Sequence, residues 1–358
     1  MLRYVVGLGL VAVAGYVLAG RRGELAGAGH YLDRIDWWWI LLGVLAEAGS
    51  FAAFAAMQVR LLRAGRVEVP IGPMSGITLA ATAITNSLPA GPAVATVYSF
   101  RQYRRRGADD ALAGWVLVAV FVAASASLAL VALVGVGIAG AEGANLDLVG
   151  VIVGVTLLAI GMGVVFVQQR VLGWLVCAAV RASRRIAGWP KGELGQYVDR
   201  IVARLTAVSL TGRDVGMVFG FGLANWALDC TCLALAYLAV EAPVPWKGLL
   251  LAYGAGQLAA NLPITPGGLG VVEGSLTIAL VAYGGVEVST VAAVLLYRLV
   301  SFWAELPVGW VAWGWINWHR VAERSVATAP GGERPAGTAG AGMPAEVMAP
   351  VDRGTGSW

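Results

Sequence analysis

Apolar residues occur in this chain as long blocks rather than in alternation. Leu2–Ala19, Trp37–Met57, Ala111–Ala139, Leu148–Val167, Val215–Val240 and Val291–Trp318 are each nearly continuous, with only isolated polar positions. Each approaches or exceeds the roughly 20 residues that a helix needs to cross a bilayer. Leu2–Ala19 also has the basic start and small-residue end of a signal peptide, but its unbroken length favours a retained helix. Two further blocks, Met74–Phe100 and Leu249–Tyr283, are broken in the middle. The breaks are Asn86-Ser87-Leu88-Pro89-Ala90-Gly91-Pro92 and Asn261-Leu262-Pro263-Ile264-Thr265-Pro266-Gly267-Gly268.

The polar residues between the blocks set the expected topology. Arginines cluster at 60–66, at 101–106 and through 170–213, whereas Glu142 and Asp147 mark an acidic loop. Short loops rich in Lys and Arg stay in the cytoplasm, so the three basic clusters belong inside, together with both termini. Residues 67 and 101 then share a side, yet the stretch between them is too short for two crossings of about 20 residues each. A re-entrant hairpin turning at Pro89–Pro92 resolves this. The same count makes Leu249–Tyr283 a hairpin entering from the outside and turning at Pro263–Gly268. The expected fold is all-α: a polytopic membrane protein with about six full spans and two oppositely oriented re-entrant hairpins forming an inverted pseudo-repeat. Two ordinary proline-kinked helices are the alternative. Within 170–213, Leu194, Tyr197, Val198, Ile201, Leu205 and Val208 recur at helical spacing. That segment fits a helix on an anionic membrane face and equally a plain connector. Residues 1–320 form the membrane domain. Residues 321–358, Gly/Ala/Pro-rich and aperiodic, are expected to be a disordered cytoplasmic tail.

Composition agrees. Of 358 residues, 58% are hydrophobic and 13% charged, and the mean hydropathy is +0.75; a soluble domain carries about 25% charged residues. Cys177, Cys230 and Cys232 read as packing residues, and with only His30 and His319 no histidine-built metal site is expected. Walker A, Gly-x-Ser-x-Gly and HExxH sequences are absent, so ATP drive and standard hydrolase chemistry have no support. No cofactor, metal or nucleic-acid partner is expected.

Ionisable residues at membrane depth are costly and mark function. Glu47, Asp229, Glu273, Arg298 and Glu305 are in this position. The guanidinium fork of Arg298 suits a phosphate or carboxylate; its alternative role is an ion pair with Glu273 or Asp229. Glu305 is two turns away on the same helix, about 10 Å along the axis, too far for ready pairing. Pro307, which lacks an N–H, marks a kink. Thr265, Gly267 and Gly268 allow a head group close to the backbone at a half-helix N-terminus. Asn86 and Asn261 either contact that group or satisfy the turns. Arg101 closes the first hairpin, where it reaches head groups or anchors the topology. The tryptophans at 37–39, Trp310, Trp313, Trp315 and Trp318 are read as interface anchors. The substrate-binding set is therefore Arg298, Glu273, Asn261, Thr265, Gly267, Gly268, Asn86, Arg101 and Asp229, around one cavity between the two breaks.

These residues resemble a known family. Asn261 to Glu273, reading NLPITPGGLGVVE, looks like the signature of the lysylphosphatidylglycerol synthase transmembrane (flippase-like) family. Leu296-Tyr297-Arg298 with Trp303 is similar to its second signature. Asn86-Ser87-Leu88-Pro89 with Arg101 and Gly107 resembles an earlier motif, with Pro89-Ala90-Gly91-Pro92 in place of a Pro-x-Gly-Gly-like turn. The resemblance covers roughly residues 1–320. It implies a bacterial or archaeal inner-membrane protein linked to lipid translocation, acting on an anionic or aminoacylated phospholipid or a polyprenyl-linked lipid. Larger members carry a soluble domain that transfers an amino acid from tRNA to phosphatidylglycerol. Residues 321–358 are too few for such a domain, so synthase activity is not expected. The alternatives are a membrane enzyme using Glu273 and Asp229 as acid and base, and a non-transporting partner of a separate lipid-modifying enzyme.

Cysteines introduced at Arg104 and Glu142, in a chain without native cysteines, are expected to label from opposite sides of the membrane. Labelling from one side would overturn the paired-hairpin topology.

Overall fold

In the computed structural model, residues 35–88, 90–140, 210–260 and 266–327 are described, and all regular elements among them are helical. The main unit comprises residues 1–316; within the second, 317–358, the described residues 317–327 are helical. The expected spans Leu2–Ala19 and Leu148–Val167, the basic segment up to residue 209, and most of the expected tail fall outside the described residues. Helix continues to Ala327, inside the stretch expected to be tail.

The first helix, α1 (Trp37–Ala64), is capped by Asp36, which accepts from the Trp38 amide. Its outward residues are Trp37, Leu41, Val44 and Leu45, and its buried residues include Glu47, Ser50 and Gln58. Apolar outside and polar inside is the reverse of a water-soluble helix, and it is what lipid requires. Four stretches among the described residues are long and apolar enough to span a membrane. They are α1, α4 (Asp110–Ala139), α5 (Gly212–Ala239) and the composite Glu287–Trp318.

α1 and α5 run antiparallel along their whole length. At one end the Asp36 amide donates to the Ala239 carbonyl at 3.1 Å; at the other, Arg60 pairs with Asp214. Between them Ser50 Oγ donates to the Asn225 carbonyl at 3.0 Å. Trp226 Nε1 reaches the Ala124 carbonyl of α4 at 2.8 Å. In an apolar medium such bonds between helices, rather than hydrophobic burial, select neighbours. The contact of Arg60 with Asp214 also brings together the ends of two basic regions that charge counting assigns to one side.

Each broken block folds as two short helices packed on each other: α2 (Ile71–Ser87) with α3 (Gly91–Arg105), and α6 (Trp246–Ala260) with α7 (Val271–Ala282). At 1.5 Å per residue, the 17 residues of α2 and 15 of α3 and α6 reach roughly 22–26 Å, short of the roughly 30 Å hydrocarbon core. The two breaks share a backbone conformation. Ala90 after Pro89 has φ 56°, ψ 26°, and Gly267 after Pro266 has φ 62°, ψ 17°. Both are left-handed, which glycine adopts freely and alanine does not. The breaks also meet: α2 packs on the Pro266–Gly268 turn, where a Cβ on Gly267 would stand 3.4 Å from the Asn86 carbonyl and 2.3 Å from the Phe302 ring.

The last block is α8 (Glu287–Arg298), a π turn (Leu299–Trp303) and α9 (Glu305–Ala327). The expected kink at Pro307 is instead taken up upstream. The Ala304 amide bonds the Leu299 carbonyl at 2.9 Å, one residue wider than an α-turn, and α9 restarts at Glu305. That places Pro307 in a first turn, where its missing N–H leaves no bond unmade. Trp310 is more than an anchor, since its Nε1 donates to Ser87 Oγ at 3.1 Å and ties α9 to the end of α2.

Replacing Ala90 with glycine is expected to stabilise the protein by about 1 kcal/mol by removing left-handed strain. Gly267→Ala should destabilise it by more, through the same strain plus the Phe302 contact. Thermal unfolding of the two purified variants checks both signs.

Candidate functional site

The second break and the end of α8 converge on Arg298, which is 8% exposed. Its Nε donates to Glu273 Oε1 at 2.9 Å and its Nη2 to the Gly267 carbonyl at 3.0 Å. The guanidinium lies over the Phe302 ring, 4.3 Å from the centroid. Glu273 sits at the third position of α7, where its Oε2 accepts from the Gly270 amide at 2.6 Å. One carboxylate thus caps the half-helix and neutralises the arginine. The left-handed glycines make this geometry available. With Gly267, Gly268 and Gly270 all at positive φ, the chain turns tightly enough to aim the Gly267 carbonyl at α8 and the Gly270 amide at Glu273. Of the two roles expected for Arg298, the ion pair with Glu273 describes this conformation. The π turn sets Phe302 beneath the guanidinium, where the ring's negative face attracts it.

A second polar centre adjoins the first. Asp229 of α5 accepts from Tyr297 at 2.8 Å, from Tyr253 at 2.7 Å and from Gln257 at 3.2 Å. Gln257 also donates to the Tyr297 hydroxyl at 3.2 Å. Tyr297 and Arg298 are consecutive on α8, so one helix end serves both centres. The carboxyl of Glu47, from α1, comes within hydrogen-bonding reach of Asp229 and of Glu305 at the start of α9. Glu305 therefore faces Glu47 rather than pairing with Arg298.

The sequence-selected residues divide accordingly. Arg298, Glu273 and Gly267 touch one another, Gly268 and Asn86 belong to the turns that meet beside them, and Asp229 anchors the neighbouring centre. Arg101 is exposed on α3, near Arg104, which pairs with Asp110 at 2.6 Å. Asn261 and Thr265 lie outside the described residues. Sequence reasoning missed Tyr253, Gln257 and Phe302. Phe302 follows Arg298 by one helical turn, a spacing that offered a signal; Tyr253 and Gln257 share a face of α6 one turn apart, but nothing local points them at Asp229. Among the described residues, no group of His, Cys, Asp and Glu has the arrangement of a metal site.

Apolar helices with polar interiors and a buried charged centre define a polytopic helical membrane protein with a polar site at membrane depth. The model of the family described as "Lysylphosphatidylglycerol synthase TM region" matches residues 3–309, and the chain belongs to that family. A UPF0104 membrane protein of Methanothermobacter thermautotrophicus is 24% identical over 327 residues, covering 84% of this chain and 91% of the relative. Shorter matches to a protein of the same description reach 36% identity over 108 residues and 25% over 96 residues. These cover about 30% of either chain.

Removing one partner of a buried ion pair leaves the other charge uncompensated, at about 3–5 kcal/mol. Arg298→Ala and Glu273→Ala should each destabilise by that order, and the double variant by clearly less than the sum. Additive losses in a thermal-unfolding cycle would show that the pair is not coupled.

Proposed function

We propose that this protein is a lipid translocase of the prokaryotic cell membrane, moving an anionic or aminoacylated phospholipid, or a polyprenyl-linked lipid, across the bilayer. The observation that carries this reading is Arg298, a cation buried at the point where two broken helices meet. A charge in such a place is expensive unless it serves a pathway, and irregular backbone at membrane depth belongs where it is enclosed by protein or lines a wet cavity. Paired broken segments in two halves of a chain are the usual sign of a transport site. The shared left-handed turn at Ala90 and Gly267 supports an inverted repeat, with one hairpin entering from each side.

Arg298 has five donors, of which two are directed at protein acceptors among the described residues. A head-group phosphate would compete with Glu273 for the same fork, so binding and release exchange one anion for another. That exchange keeps the arginine neutralised throughout and avoids a bare charge in hydrocarbon. The enzyme alternative draws less from this geometry, because Glu273 and Asp229 are both engaged in several hydrogen bonds. A lipid-modifying enzyme working alongside this chain fits the transport reading as a partner that supplies its lipid.

The test is head-group accessibility in proteoliposomes, using labelled aminoacylated, anionic and polyprenyl-linked lipids. The protein should speed their movement between leaflets, and Arg298→Ala should lower the rate at least tenfold with membrane insertion intact. Arg298→Lys keeps the charge and guards against loss of fold; it should fall between the two. No movement of any tested lipid, or an unchanged rate in Arg298→Ala, would overturn the reading.

A further inference from the structure

We propose that Glu47, Glu305 and Asp229 form a proton-holding centre that links lipid movement to the transmembrane proton gradient, an inference that rests on the transport reading above. The first observation is geometric. The Glu47 carboxyl of α1 is within hydrogen-bonding reach of Asp229 of α5 and of Glu305 of α9. Ionised carboxylates only accept hydrogen bonds, so two of them in such contact need a proton between them. The second observation locates that proton. Glu47 is 7% exposed, and its buried Oε2 receives no hydrogen bond from a protein donor among the described residues. Asp229, by contrast, accepts from Tyr297, Tyr253 and Gln257. Three donors satisfy an anion, so Asp229 is the ionised member and the Glu47–Glu305 pair carries the proton.

Charge also calls for protonation in this centre. Glu47, Asp229, Glu305 and Glu273 against Arg298 would leave an excess of three negative charges if every acid were ionised. Such an excess is not sustainable away from water. The groups facing Glu47 are Asp229 and Cys232 from α5, Tyr297 from α8 and Glu305 from α9, while Arg298 of α8 acts on Asp229 and Glu305. Tyr253 and Gln257 of α6 join through Asp229, and Glu273 of α7 stands across Arg298. The other elements packed on α1 add no charge there: α2 and the π turn have no ionisable side chain, and Asp110 of α4 is paired with Arg104 at the helix start.

The linkage follows from the shared helix end. When a head-group phosphate takes Arg298, a negative charge enters beside the carboxylates, and a proton on Glu47 or Glu305 offsets it. Transport of an anionic lipid is then accompanied by a proton. One proton per lipid lets a gradient of one pH unit sustain about a tenfold difference between leaflets, since a factor of ten corresponds to about 1.4 kcal/mol.

The experiment uses the full chain in liposomes with a trace of fluorescently labelled phosphatidylglycerol, the membrane potential clamped and a pH step imposed. Wild type should build a leaflet asymmetry approaching tenfold per pH unit, whereas Glu47→Gln and Glu305→Gln should give none. A parallel infrared measurement needs no transport. It should show a protonated carboxyl stretch in wild type at neutral pH that is lost in Glu47→Gln or in Glu305→Gln. Lipid movement that reaches equal leaflets whatever the gradient overturns the coupling and leaves the transport reading standing. Absence of any lipid movement overturns the transport reading and the coupling with it. Absence of the carboxyl stretch overturns the proton-holding centre itself.

Discussion

The ion pair between Arg298 and Glu273 is the contact on which the rest of this arrangement depends. An arginine in hydrocarbon must find an anion, and here the anion comes from the first turn of a half-helix. To deliver it, the chain breaks at Pro266–Gly268, turns through left-handed glycines and restarts at Val271. To receive it, the last span widens into a π turn that places Phe302 under the guanidinium. The meeting of the two breaks at Asn86 and Gly267 then holds the first broken block against the second, and the tie from Trp310 to Ser87 holds it against the last span.

Much of this fold was legible because lipid imposes simple rules. Apolar length gave α1, α4, α5 and the last span, and the Asn–Pro–Gly runs marked both breaks. Charge counting placed Arg60 and the region before Val215 on one side, in keeping with the Arg60–Asp214 contact. What was not legible depends on rotation about helix axes. Helix spacing already set Glu305 apart from Arg298, but nothing local in the sequence says that it turns to Glu47, or that Gln257 faces Asp229, because those choices are made by packing among α1, α5, α6, α8 and α9. The kink was misplaced for a related reason. Pro307 was visible, but its cost disappears once a π turn upstream makes it a first-turn residue.

The site follows the same division. Arg298 and Glu273 stood out because charged residues in apolar blocks are rare, and their pairing was one of two roles open to the arginine. The tyrosine and glutamine ligands of Asp229 did not stand out, since such residues are common in helices. Once assembled, the two centres share α8: Arg298 serves an anion and Tyr297 serves the carboxylates. In the transport reading proposed above, a change of partner at Arg298 would be passed to Asp229 through this single helix end.

The most direct test of the central claim is the position of lipid in the protein itself. Electron cryomicroscopy of the full chain in nanodiscs containing anionic lipid should show a head-group phosphate within hydrogen-bonding distance of the Arg298 guanidinium, beside the Gly267 turn, with Glu273 displaced from it. A lipid-saturated structure with phosphates only at the membrane surfaces and Arg298 still fully held by Glu273 would contradict it.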